Sequence, residues 1–185
     1  MTQDQRIRPA ASTTGPAELT IRRAERGDLP ALGRLGAALV RVHHDFDGRR
    51  FMAPTDDIEA GYAWFLGTQL SVPDNVVLVA ARGDTVVGYV FAAIEPESWK
   101  ELRGPAGFIH DVMVEPSERG QGAATRLLAA AAAWLEARGA PRLMLWTAER
   151  NAAARRPSDL PQESRPGPSR RALTARRQRL VAAHR

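Results

Sequence analysis

The chain contains no cysteine. That excludes a disulfide framework, a thiolate nucleophile and any metal site built on sulfur; no metal centre of any kind is expected. Long apolar runs are also missing. The longest, Leu127 to Leu135, falls well short of a membrane span, so no membrane association is expected. Met1 to Pro16 is polar and mixed in charge, unlike a signal peptide, and a cytoplasmic location is the expectation. What remains is ordinary for a globular domain. Of the 185 residues, 44% are hydrophobic and 25% charged, enough chain for one domain with a proper core.

The net charge of +5 is not spread evenly. Residues 155–185 carry nine arginines against Asp159 and Glu163, which leaves 17 basic and 19 acidic residues in 1–154. The basicity belongs to the tail.

Residues 1–18 read as a loose leader without periodicity. Leu19 to Arg22 alternates as a short first strand. Asp28 suits an N-cap, Pro30 fits a first helical turn, and Leu32, Leu35, Leu39 and Val42 give a helix to about His43. After a polar loop, a second helix starts near Asp56, spaced from Glu59 as in a capping box. Its apolar face is Ile58, Tyr62, Phe65, Leu66 and Leu70. Val76 to Ala80 and Thr85 to Ile94 are strands joined at Arg82-Gly83-Asp84, a triplet that reads as a hairpin turn and not as an adhesion motif. Gly107 to Val114 is a fourth strand and Arg142 to Thr147 a fifth.

Between these last two strands lies the stretch around which the chain is organised, Val112 to Ala124. A strand stops at Pro116, turns through Arg119-Gly120-Gln121-Gly122, and opens a helix whose apolar face is Ala124, Leu127, Leu128, Ala131, Trp134 and Leu135. Arg138, Gly139 and Pro141 end it. Two glycines let backbone approach a ligand closely, and the free N–H groups and dipole of the helix N-terminus suit a phosphate. Arg119 adds a cation. No Lys-Ser/Thr pair follows the glycines, so this is not a Walker loop, and the dinucleotide spacing is also absent.

The order Arg119-x-x-Gly122-x-Ala124 after Val112-Met113-Val114 resembles motif A of the GNAT-superfamily N-acetyltransferases. The resemblance extends over about Leu19 to Arg155. It implies an α/β (α+β) fold, a mixed, mostly antiparallel sheet flanked by helices. It also implies acetyl-CoA as co-substrate, its pyrophosphate held by Arg119, Gly120, Gln121, Gly122, Ala123 and Ala124. The pantetheine arm would pair with the backbone of Met113 and Val114, where the fourth and fifth strands splay. The family's motif B matches at Asn151, which would help orient the cofactor, and at Ala154. Its tyrosine position falls on Ser158 and its Gly-Phe on Gln162 and Glu163.

The family pattern stops after Arg156. Residues 157–185 hold four prolines, no aromatic residue and four large aliphatics, so they cannot close the sheet and are expected to be a disordered basic tail. The domain boundaries are therefore a leader 1–18, an acetyltransferase-like domain 19–156 and the tail 157–185. Either a shifted reading frame near codon 156 or a basic tail for nucleic acid or acidic partners accounts for it. The first is preferred, because the break falls inside a motif.

Acetyl transfer needs a neutral amine, hence a base. His110 and Asp111 occupy adjacent positions of the fourth strand and should face opposite sides, with Asp111 sharing the side of Ile109 and Met113. Asp111 and Glu149, at the end of the fifth strand, are the candidate catalytic carboxylates; Glu95 is a further one. The resemblance implies that the loop and the start of the second helix line the acceptor site, where Asp45, Asp47, Asp56, Asp57 and Glu59 would suit a cationic amine. The expected activity is acetyl transfer from acetyl-CoA to a primary amine of a small molecule or protein. The alternatives are an impaired acyl-CoA-binding relic and a nucleic-acid binder using the tail. The edge of the fifth strand offers a surface for a homodimer.

Overall fold

The computed structural model describes residues 17–145. Five strands, β1 (Leu19–Arg23), β2 (Asn75–Arg82), β3 (Thr85–Glu95), β4 (Ala106–Val114) and β5 (Leu143–Leu145), form one sheet in the order β1-β2-β3-β4-β5. The first four pair antiparallel, and β5 lies parallel to β4. Helices α1 (Leu29–Phe46) and α2 (Ile58–Gln69) cover one face of the sheet, and α3 (Ala123–Ala137) covers the other. This is the expected mixed, mostly antiparallel fold. Residues 1–16 of the leader and everything after Leu145, with Glu149, Asn151 and the tail, lie outside the described residues.

Alternation along the strands divides the core in two. Val76, Leu78, Val90, Ala92 and Ile109 pack on Leu127, Ala131 and Leu135 of α3. Val77, Val79, Tyr89, Phe91 and Met113 pack on Leu32, Leu35 and Leu39 of α1 and Leu66 of α2. The hairpin between β2 and β3 turns at Gly83, whose φ of 56° needs the missing Cβ.

Three local expectations change. The buried stripe of α3 begins at Ala123, while Ala124 is exposed. The helix starts one residue past Gly122, and that sets its phase. The Asp56–Glu59 capping box does not form. A turn closed by the Ile58 N–H on the Thr55 carbonyl precedes α2, so Asp57 takes the N-cap position and its carboxylate accepts the Thr55 hydroxyl. Asp28 does stand at the head of α1, but its carboxylate is held by Arg22 at 2.7 and 2.8 Å and by the Glu25 N–H at 2.8 Å instead of capping the helix.

Candidate functional site

The turn after β4 has the shape its sequence implies. Pro116–Glu118 makes one short 3-10 turn, Gly120 and Gly122 take φ of 77° and 82°, and α3 begins at Ala123. Its first helical hydrogen bond runs from the Arg126 N–H to the Gly122 carbonyl at 3.0 Å. The N–H groups of Ala123 and Ala124 therefore leave the helix end without a carbonyl of their own helix. A Cβ placed on Gly120 or Gly122 would meet nothing within 4 Å, so both glycines border open space, and Arg119 is exposed beside them. These groups fit a pyrophosphate: free donors, a helix dipole, a nearby cation and room for backbone approach.

Gln121 is used differently. Its amide oxygen accepts from Arg82 at 2.7 Å, its amide nitrogen donates to the Ser117 carbonyl at 3.0 Å, and its own N–H donates to the Glu118 carbonyl. Arg82 also binds Glu118 at 2.8 Å. The end of β2 thus braces the turn across 36 and 39 residues of sequence. Sequence reading missed this brace, because Arg82 looked like part of a hairpin turn.

Met113 and Val114 are buried near the end of β4. The described pairing of β4 with β5 runs to Ile109↔Leu145, the last of the described residues.

At that same point β4 departs from regular pairing. Phe91 stands opposite Asp111 while the next residue of β3, Ala92, stands opposite Ile109, which leaves His110 as the extra residue of a β-bulge. The expectation that His110 and Asp111 face opposite sides therefore fails. The His110 ring stacks on Phe91 at 5.0 Å and on Phe108 at 5.6 Å, and Asp111 meets Tyr62 of α2. Both face α1 and α2. Asp111 shares that face with Met113, but Ile109 points into the α3 core. Two consecutive polar residues inside an apolar strand were the available signal.

Asp111 Oδ2 accepts the Tyr62 hydroxyl at 2.5 Å and the Tyr89 hydroxyl at 3.4 Å. Burial pushes its carboxyl above the ordinary value. The Tyr62 hydrogen bond and the nearby charges of His110 and His43 pull it back. Burial and the Asp111 charge raise both phenols, Tyr89 well above the ordinary value, so both remain donors. His43 is lowered by burial and raised by Asp111. The Tyr62 ring reaches this place because Gly36 of α1 lies beneath it: a Cβ there would sit 1.9 Å from Tyr62 Cδ1. Neither phenol was marked by sequence reading, which placed Tyr62 in an apolar stripe.

Glu95, at the end of β3, binds Arg103 and lies 3.2 Å from His110 Nε2. The acidic residues proposed for an acceptor, Asp45, Asp47, Asp56, Asp57 and Glu59, are all exposed. Asp47 is engaged by the Arg49 N–H, Asp57 by Thr55, and Glu59 lies 3.9 Å from Arg41. Among the described residues no helix is long and apolar enough to cross a membrane, and no cluster of His, Asp and Glu could hold a metal ion.

Comparison with known proteins agrees with this geometry. A mycothiol acetyltransferase from Thermobispora bispora is 36% identical over 76 residues, 41% of this chain and a quarter of that relative. A transcriptional regulator from Bacillus halodurans shares the fold at a TM-score of 0.58 and 24% identity, covering 74% of this chain and 87% of that one. A predicted acetyltransferase with acetyl-CoA from Clostridium acetobutylicum does so at 0.57 and 19%, covering 74% and 85%. An aminoglycoside acetyltransferase from an uncultured soil metagenomic sample, in complex with sisomicin, does so at 0.52 and 21%, covering 84% and 97%. The model of the acetyltransferase (GNAT) family matches residues 39–156, well over half of the sequence, and the chain belongs to that family.

Proposed function

We propose that this protein transfers an acetyl group from acetyl-CoA to an amine. The observation that carries the reading is the open N-terminus of α3, where two glycines at positive φ border free space directly after β4. Arg119, Gly120, Gly122, Ala123 and Ala124 hold the pyrophosphate, with Gln121 locked by Arg82 as the stiffener of the turn. The backbone of Met113 and Val114 receives the pantetheine arm along the outer edge of β4. Positioning of this kind brings thioester and amine together and so lowers the barrier. Asp111, half-buried and accepting the Tyr62 and Tyr89 hydroxyls, is the candidate catalytic carboxylate on the α1/α2 face. Asn151 as an orienting group and Glu149 as a second carboxylate belong to the same proposal and lie outside the described residues. The acetyl-CoA of the Clostridium acetobutylicum structure and the activity named for the Thermobispora bispora relative support the choice of acyl donor.

Calorimetric titration of the full chain with acetyl-CoA tests the binding half. Thiol release in the presence of sisomicin, spermidine or a lysine-bearing peptide tests the transfer half. Saturable binding followed by amine-dependent thiol release is the expected result. Binding without release from any amine would point to an acyl-CoA-binding relic, and absence of binding would remove the reading altogether.

A further inference from the structure

We infer that Arg82 sets the affinity for the acyl donor, acting through Glu118 and Gln121: it cancels a carboxylate beside the pyrophosphate turn and ties an amide back from its mouth. Arg82 is in this sense a positioning residue. The inference rests on the acetyltransferase reading above and names the residue that tunes donor binding within it.

The strand pattern puts Arg82 in reach of the turn. Val76, Leu78 and Ala80 of β2 pack on the α3 side of the sheet, and Arg82 continues that row one step past the core. The strand stops there, because Gly83 turns the chain into β3. The guanidinium then works in three directions. Nε donates to Glu118 Oε2 at 2.8 Å, Nη2 to Gln121 Oε1 at 2.7 Å and Nη1 to the Ala17 carbonyl at 2.9 Å. A planar fork fixes three acceptors at once, which an ammonium on a flexible stem does not.

The charge balance of the turn gives this contact its consequence. Glu115 and Glu118 bracket the 3-10 turn directly ahead of Arg119, Gly120 and Gly122. Carboxylates so close to a pyrophosphate oppose its binding. The Arg82 and Glu118 side chains are only 21% and 15% exposed, so water screens them weakly and their pairing removes one of the two negative charges. Gln121 stands between the two glycines, next to the free N–H groups of α3. Arg82 holds its amide oxygen while the Ser117 carbonyl holds its amide nitrogen at 3.0 Å. The turn is thereby ordered before the donor arrives, and binding is spared the cost of ordering it.

S-Acetylpantetheine separates this role from a general structural one, because it carries the thioester and the pantetheine arm but no phosphate. In steady-state assays of the full chain with spermidine as acceptor, Arg82→Met should raise KM for acetyl-CoA roughly 3- to 30-fold. Its kcat with acetyl-CoA, and its kcat/KM with S-acetylpantetheine, should both stay within about twofold of the parent. Equal losses with the two donors, or an unchanged KM for acetyl-CoA, would overturn the assignment. Adding Glu118→Gln to Arg82→Met should restore part of the lost affinity, since the unpaired carboxylate is gone. A double variant no better than Arg82→Met would show that the Glu118 charge is not felt, and the masking would fall. A further measurement needs no donor. In nitrogen relaxation of the free full chain, the Gly120 and Gly122 amides should be as rigid as those of α3 in the parent and mobile on the nanosecond scale in Arg82→Met. Equal rigidity in both proteins would remove the brace. Failure of the parent to use acetyl-CoA with any amine counts against the acetyltransferase reading instead, and the relaxation data still decide whether Arg82 holds the turn.

Discussion

The Tyr62 hydroxyl donates to Asp111 Oδ2 at 2.5 Å across 49 residues of sequence, from a ring that occupies the space a Cβ would fill on Gly36. Helix α1, helix α2 and strand β4 are therefore locked at one point. Tyr62→Phe keeps the ring and deletes the donor. Hydrogen bonds to charged groups contribute about 1.5–3 kcal/mol, and the loss should fall in that range by urea unfolding. Because the phenol stabilises the ionised carboxylate, its removal should move Asp111 further upward, which carboxyl-carbon NMR titration would read. An unmoved titration would mean that the hydrogen bond is absent in solution.

Gly36→Ala attacks the same point from beneath. A methyl group 1.9 Å from Tyr62 Cδ1 forces the ring aside, and overpacking of this kind costs about 1–3 kcal/mol. Combined with Tyr62→Ala, the penalty should largely vanish, since no ring is left to displace. A penalty that persists in the double variant would place the strain elsewhere.

Asp111→Asn should change how stability depends on pH. The folded carboxyl is raised above its ordinary value of 3.8, so the folded state holds the proton more tightly than the unfolded chain. Its contribution is fully present below 3.8 and is lost as pH rises through the folded value. Relative to the variant, the parent should therefore weaken as pH climbs from about 3.8 toward neutrality. Thermal scans across that window decide it, and the opposite trend would show that the buried charge is favoured.

Asp28 carries the reverse sign. Arg22 holds its carboxyl below 3.8, and burial only partly opposes this, so its contribution is present above 3.8 and is lost as pH falls through the depressed value. Asp28→Asn should flatten the acid limb of the stability curve, removing about 1–3 kcal/mol at neutral pH. A variant that still steepened below 3.8 would point to other carboxylates.

Gly122 and Gly139 form a matched pair. Both take left-handed φ, 82° and 78°, and a Cβ on either meets nothing within 4 Å. Alanine at either position should cost about 1–2 kcal/mol from backbone strain alone. Only Gly122→Ala should also weaken acetyl-CoA binding, and Gly122→Trp should abolish it. Equal affinity in Gly122→Trp and parent would place the cofactor elsewhere.

These relationships explain what could be read from the chain directly. The turn at Gly120 and Gly122 is local, its glycines, helix start and flanking strand all lying within a dozen residues, so spacing alone reveals it. The helices and strands follow from periodicity for the same reason. The side chains gathered on the α1/α2 face are not local. Tyr62 looks like one more apolar residue of α2 until Gly36 and Asp111 are beside it, and Arg82 looks like a turn residue until it meets Glu118 and Gln121. His110 and Asp111 were assigned to opposite faces because strict alternation was assumed, and one bulge reverses that inference for a single residue.

The bulge also bears on how such a chain tolerates change in length. With His110 removed, Ile109 and Asp111 would become neighbours opposite Ala92 and Phe91, and every other pair of β3 and β4 would keep its partner. A one-codon deletion at this position would give a more regular sheet, while the same deletion two strands earlier, inside Asn75–Arg82, would invert the faces of everything beyond it. The backbone does not require the imidazole at position 110. A gene that kept the fold and lost this codon would still encode a well-paired sheet.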